Sequence, residues 1–203
     1  LSRLFEVQKL RNCLALIALL AMWAGAPPTA IAQDACGDGR IWYVIASGGC
    51  AGGANCGDRS NPAQFLHALT QASLSATPSS PAILRLATGN YTFTSLVNIP
   101  SNVYIEGGYN QADSWKKTNA SITRFIRTNA NVVTSFPPRL ILFQGVGATN
   151  FRIQDITMEI ADAPNLFGSN IFNGISVYGI YMDNCSNYSI VRCDITAGRG
   201  SNG

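Results

Sequence analysis

Short stretches of alternating apolar and polar residues, each closed by Gly, Asn, Asp or Pro, dominate the chain after residue 80. Ala82-Ile83-Leu84-Arg85-Leu86, Tyr91-Thr92-Phe93, Val103-Tyr104-Ile105, Leu140-Ile141-Leu142-Phe143 and residues 122–126, 151–160, 175–182 and 188–195 read as strands. Ile41-Trp42-Tyr43-Val44-Ile45 reads as an earlier one. Period-two alternation sends successive side chains to opposite faces of a sheet. No long helical pattern follows residue 75, which excludes a βαβ fold and leaves a sandwich, a barrel or a solenoid.

An internal repeat decides among these. Residues 179–198 (GIYMDNCSNYSIVRCDITAG) hold a short strand, an Asn-rich corner and a second strand. Residues 149–158 repeat the second half: Asn150 matches Asn187, Phe151 matches Tyr188, Ile153 matches Ile190, Ile156 matches Cys193 and Met158 matches Ile195. Ser101-Asn102-Val103-Tyr104-Ile105 is a third copy of the corner. The 37 residues from Asn150 to Asn187 read as one step with an insertion at 162–173. The 48 residues from Asn102 to Asn150 read as two steps of 24, with residues 122–127 as the rung between. A step in the twenties is one rung of a parallel β-helix. Asn tolerates the left-handed backbone of a sharp corner. Stacked at the strand spacing of ~4.8 Å, the amides of Asn102, Asn150 and Asn187 are expected to form a hydrogen-bonded ladder. Asp155 aligns with Arg192, which puts opposite charges on adjacent rungs.

Between the first strand and the rungs, Asn61 is a good helix N-cap, Pro62 suits the first helical position, and Gln64 completes a capping box. Phe65, Leu66, Leu69 and Ala72 then share a face. The pattern predicts a short helix that covers the first rung and blocks edge pairing. His67, the only histidine, sits on it and reads as an exposed helix residue.

Residues 1–32 carry the marks of a secretory signal peptide: Arg3, Lys9 and Arg11, an apolar run at 13–23, and Ala30-Ile31-Ala32 before a cut at Gln33. The run is too short to span a bilayer core of ~30 Å. Cys36 lacks the preceding apolar residue of a lipidation box. A secreted or cell-surface protein without a membrane span in the mature chain is expected, divided into the leader (1–32), an N-terminal cap (33–80) and β-helix rungs (81–203). The last residues stop in a loop after a strand, and the expectation is a C-terminally truncated solenoid.

Charge adds little. Charged residues are 12% and the formal net charge is +3. With the leader's Arg3, Lys9, Arg11 and Glu6 set aside, 11 basic and 10 acidic residues remain. No basic patch with interleaved aromatics is visible, so nucleic acid is not an expected partner. The Gly-rich loop at 47–58 lacks the Gly-Lys-Ser/Thr of a phosphate loop and reads as a surface loop closed by Cys50 and Cys56, a disulfide suited to an exported protein. Cys193 is either a buried thiol at a core position or a partner of Cys185. Cys36 pairs with a cap cysteine or stays odd.

At this point the chain resembles a known group. Tyr43-Val44, the Gly-rich loop, Gly57-Asp58-Arg59-Ser60-Asn61-Pro62 and the short helix resemble the N-terminal cap of right-handed parallel β-helix proteins of the pectin-lyase-like superfamily. Thr88-Gly89-Asn90-Tyr91 resembles their recurrent turn, residues 99–109 (IPSNVYIEGGY) resemble the strand just after it, and Gly179-Ile180-Tyr181 and Asn184-Cys185-Ser186-Asn187 resemble later rungs. The likeness is strongest to large secreted, adhesin-like β-helix proteins of Gram-negative bacteria. It implies an all-β, right-handed parallel β-helix with a short N-terminal capping helix. Lyases of the superfamily use carboxylate-bound Ca²⁺ with an Arg or Lys base, and related hydrolases use close-set aspartates. The acidic residues here form no such cluster in sequence, a triad through His67 has no support, and no zinc spacing occurs. No catalytic residue or cofactor is therefore assigned, Ca²⁺ entering only with a lyase reading. A polar face of Arg152, Asp155, Asp183, Arg192 and Asp194 is the remaining candidate. The leading expectation is a non-enzymatic adhesion or scaffold module that binds glycans or surface proteins. The alternative is a polysaccharide lyase or hydrolase whose active rungs lie mostly beyond residue 203.

Overall fold

A computed structural model describes residues 40–135, 137–165 and 174–202. The leader and Cys36 lie outside the described residues. The elements run β1 (Ile41–Val44), α1 (Phe65–Ser75), β2 (Ala82–Ala87), β3 (Gly89–Phe93), β4 (Val97–Asn98), β5 (Val103–Asn110), β6 (Lys116–Lys117), β7 (Thr123–Arg127), β8 (Arg139–Val146), β9 (Thr149–Gln154), β10 (Thr157–Ile160), β11 (Ser176–Asp183), β12 (Ser186–Val191) and β13 (Asp194–Ala197). The chain is thus dominated by strands with one described helix, and all strand pairs except β5–β6 are parallel.

The strands sort into three sheets in a fixed rotation. The first has the order β1-β2-β5-β9-β12 with β6 on β5, the second β13-β10-β7-β3, the third β11-β8-β4. From β2 onward the chain visits first, second and third sheet in turn and then returns to the first. Each strand pairs with the strand one circuit on, the arrangement expected of a solenoid. Leu84, Ile105, Ile153 and Ile190 stand level across the first sheet. Phe125, Met158 and Ile195 stand level across the second.

This register corrects the step length. β5 pairs directly with β9 (Ile105 with Ile153), so Asn102 to Asn150 is one circuit, not two. The strand at 123–127 is not a rung between them but the second-sheet strand of the same circuit. The stretch between β5 and β7, which carries β6, and the stretch between β7 and β8 supply the added length. Two expected long strands are also split. Residues 151–160 break at Asp155 (φ 55°) and 188–195 at Arg192 (φ 48°). At these two positions a left-handed residue turns the chain from the first sheet to the second, whereas one circuit earlier Gly108 (φ 79°) lies within β5, where the pairing with β2 shifts register. Gly107 beside it has its own reason: a Cβ there would overlap the Asp155 carbonyl oxygen and the Thr123 side chain.

Inward residues of the three sheets form one apolar core. Phe125 is at its centre, with ring centroids 5.0 Å from Phe65 and Phe93, 5.2 Å from Tyr91 and 5.5 Å from Phe143. The Tyr91 hydroxyl, buried among them, donates to the carbonyls of Ala87 and Val44 at 3.0 and 3.1 Å. Burial therefore pushes its pKa up. Phe65 belongs to α1, which packs on β2 and β1 through Phe65, Ala68, Leu69 and Ala72.

The helix starts later than its capping box suggests. Its N-cap is Gln64, without a side-chain cap bond. Asn61, Pro62 and Ala63 are extended instead, because their backbone is already paired. Ala63 N–H donates to Tyr43 O, Ile45 N–H to Ala63 O, Gly57 N–H to Asn61 O and Cys50 N–H to Pro62 O. These bonds hold the Gly-rich loop against β1 and leave helix formation to residue 65 onward. The buried stripe is Phe65, Ala68, Leu69 and Ala72, and Leu66, expected on that face, lies about a quarter-turn round from Phe65 and is 56% exposed.

Candidate functional site

The second-sheet corner carries the strongest polar constellation. Asp155, held in left-handed backbone between β9 and β10, receives three side chains. Arg192 donates from Nε to Oδ1 at 2.6 Å and from Nη2 to Oδ2 at 3.0 Å. Lys117 Nζ donates to Oδ2 at 2.6 Å, and Gln154 Nε2 to the same oxygen at 3.0 Å. Arg192 comes from the equivalent corner one circuit on, so the alignment of Asp155 with Arg192 becomes a bidentate pair. Lys117 was not singled out in the sequence. It reaches the corner from β6, which folds back antiparallel on β5 (Tyr109 level with Lys117). Its ammonium also donates to Gly107 O at 2.5 Å and lies 4.4 Å from the Tyr109 ring centroid.

Burial acts to raise the Asp155 pKa. The hydrogen bonds from Arg192, Lys117 and Gln154, with the Lys117 charge, outweigh it and hold the carboxyl well below the usual carboxylate range.

Beside this cluster lies an open groove of about 550 Å³, bounded by the 117–123 segment on one side and by Thr157, Arg192 and Asp194 on the other. Its chemistry is hydroxyl, amide and charge, from Thr118, Asn119, Ser121 and Thr157, with one exposed apolar side chain, Ile122.

Arg152 and Asp183, the other members of the candidate polar face, are elsewhere. Arg152 is on the outer face of the first sheet, its guanidinium 5.1 Å from the Tyr104 ring centroid, 3.9 Å from Glu106 and 3.4 Å from the Ser189 hydroxyl. Asp183 ends β11, where its carbonyl accepts from Gly147 N–H at 2.9 Å. The five residues therefore divide between a corner groove and other parts of the surface. Alternation placed Asp155 and Asp194 near one another only once the left-handed corners were formed.

The asparagines stack. Asn150 Nδ2 donates to Asn102 Oδ1 at 3.0 Å, and Asn187 Nδ2 donates to Asn150 Oδ1 at 3.3 Å. All three have positive φ, 62°, 54° and 49°. The Tyr104 hydroxyl donates to Asn150 Oδ1 at 3.2 Å and ties the ladder to the first sheet's outer face.

The cysteines divide as well. Cys50 and Cys56 form a disulfide across the Gly-rich loop. Cys185 and Cys193 are free thiols, so the pairing between them is not made. Cys193 Sγ lies 3.5 Å from Val191 O and 3.6 Å from Ile153 O, and burial pushes its pKa up. It is poorly placed to act as a nucleophile.

Among the described residues no group of three or more His, Cys, Asp or Glu converges on a point that would hold a metal ion. No described helix is long and apolar enough to cross a membrane. The chain matches no protein-family model, no curated protein and no solved structure in comparisons with each.

Proposed function

We propose that the chain forms a capped right-handed parallel β-helix of the pectin-lyase-like type, and that it works at the cell surface as a non-enzymatic adhesion or scaffold module binding glycans or partner proteins. The fold part is supported by the three-sheet rotation of parallel strands and by the stacked left-handed asparagines at successive corners. The leader at 1–32 and the cap–rung division at residue 80 belong to the same reading. No cofactor enters it.

The observation that carries the functional part is the state of Asp155. A general acid needs a proton to give, and a base or nucleophile needs free lone pairs. Asp155 is held ionised, and both its oxygens are taken by Arg192, Lys117 and Gln154. The same bonds occupy the two cations best placed to assist it. A carboxylate engaged in this way shapes a surface and suits binding without turnover.

The test is incubation of the full chain with pectin-type polymers and with a panel of immobilised glycans. Retention on glycans without cleavage supports the reading. Release of unsaturated uronides that stops on addition of a chelator would overturn it and favour the lyase alternative. A strongly helical circular dichroism spectrum would overturn the solenoid.

A further inference from the structure

We infer that the corner groove is a subsite for an uncharged sugar, a choice of site and ligand class that rests on the glycan-binding reading. Its volume of about 550 Å³ falls within the ~300–1,000 Å³ of small-molecule sites. Its lining has the amphipathic character that a pyranose needs. Thr118, Ser121 and Thr157 line it together with Ile122, which is 48% exposed and offers an apolar patch for the C–H face of a ring.

Charge decides the ligand class. Lys117 and Arg192 contribute two positive charges, Asp155 and Asp194 two negative ones. The cations are already paired to Asp155. A uronate or sulfate would have to compete with Asp155 for them and would meet the Asp194 carboxylate, so the site selects against anionic sugars.

Asp194 is the residue left for the ligand. It opens β13, level with Thr157 of β10, so that a carboxylate and a hydroxyl stand on neighbouring strands at the groove wall. Among the described residues the Asp194 side chain has no ion-pair or hydrogen-bond partner. A free carboxylate accepts hydrogen bonds from two sugar hydroxyls in the strong, charge-assisted manner. The guanidinium of Arg192 holds Asp155 with Nε and Nη2, which leaves Nη1 to donate to the same ligand.

The test is saturation-transfer NMR on the full chain with maltose, lactose, cellobiose and digalacturonate, at low and high salt. At least one neutral disaccharide is expected to bind, with little salt dependence and more tightly than digalacturonate. Asp194→Asn, at an exposed position that leaves the fold intact, is expected to weaken it about tenfold, and Thr157→Val by a smaller factor. Preference for digalacturonate would overturn the ligand class. Neutral-sugar binding unchanged in both variants would overturn the groove assignment while leaving glycan binding in place on another surface. Absence of binding to all four disaccharides, with longer glycans still retained, would likewise overturn the groove alone. Loss of retention on every glycan would remove the broader reading with it.

Discussion

Arg192 and Asp155, which are 37 residues apart, meet as a bidentate pair because each is the left-handed corner residue of its own circuit. Two side chains that leave the backbone at equivalent corners of adjacent coils are parallel and about one strand spacing apart. With opposite charges there, the corners are bound to each other, and Lys117 from the β5–β6 fold-back joins them.

Removing the shared carboxylate is therefore expected to matter more than removing either cation. Asp155 is mostly shielded, with 18% of its side chain exposed, whereas Arg192 is 65% exposed. Asp155→Ala leaves two cations facing each other and is expected to cost about 1–3 kcal/mol. Arg192→Ala, which removes an exposed partner, is expected to cost less than Asp155→Ala. Urea unfolding of both variants checks the order, and equal losses would contradict it.

The same pair fixes the acid limb of the stability curve. The folded pKa of Asp155 is depressed, so its contribution is present above the unfolded carboxylate value of ~3.9 and is lost as pH falls from there through the folded pKa. Wild type and Asp155→Asn are expected to differ by a constant amount from pH 7 down to about 5. The difference then shrinks on further acidification. Thermal unfolding across that range measures it, and a gap that widened below pH 4 would contradict the assignment.

The asparagine ladder separates backbone from side-chain effects. Asn150→Ala removes the amide bonds to Asn102 and Asn187 and puts a Cβ-bearing residue without local hydrogen bonding at φ 54°. The expected cost is about 2–3 kcal/mol. Asn150→Gly loses the same bonds but accepts the conformation, and is expected to be more stable than the Ala variant by about 0.5–1 kcal/mol. Denaturant midpoints of the two decide this. An Ala variant as stable as the Gly one would show that the corner imposes no strain.

Arg127 is the one fully buried cation in the described chain. It donates from Nε to Ile141 O at 2.9 Å, from Nη1 to Thr128 O at 2.6 Å and from Nη2 to Asn131 O at 3.0 Å. These bonds tie the turn after β7 to β8. Arg127→Met keeps the volume and strands three carbonyls, with an expected loss of about 2–4 kcal/mol. Lys in its place has no planar fork and is expected to recover only part of this. Hydrogen exchange should rise first at residues 128–131, and unchanged exchange there would refute the clamp.

The Cys50–Cys56 bridge closes a short loop in the cap. Opening it with reductant is expected to cost about 2 kcal/mol, because a small loop has little entropy to lose. Alkylation followed by mass spectrometry should show Cys193 reacting slowly before unfolding and quickly after it. Fast native labelling of Cys193 would contradict the partial shielding of its thiol.

The strand positions, the corner asparagines and the first helix residues inside the core were legible because each depends on neighbours in sequence. Period two reports a sheet face, and positive φ favours Asn or Gly through the residue's own backbone, although Asp155 and Arg192 hold it too. The match of Phe151 with Tyr188 and of Ile153 with Ile190 is the register itself. The circuit length was not legible in the same way. The sequence at 111–122 and 128–138 carries no periodicity, so 48 residues looked like two steps until β5 paired with β9.

The start of α1 was decided away from the helix, by β1 and the disulfide loop taking the backbone bonds of residues 61–63. Lys117 joined Asp155 only through the antiparallel turn of β6, which no residue pattern announces. The sequence by itself determined which residues face inward and where the chain turns, since these follow from local alternation and backbone preference. Only the tertiary structure decided which turns lie against each other, because that depends on how the loops between them close, and it is the stacking of those turns that forms the ion-pair corner and its groove.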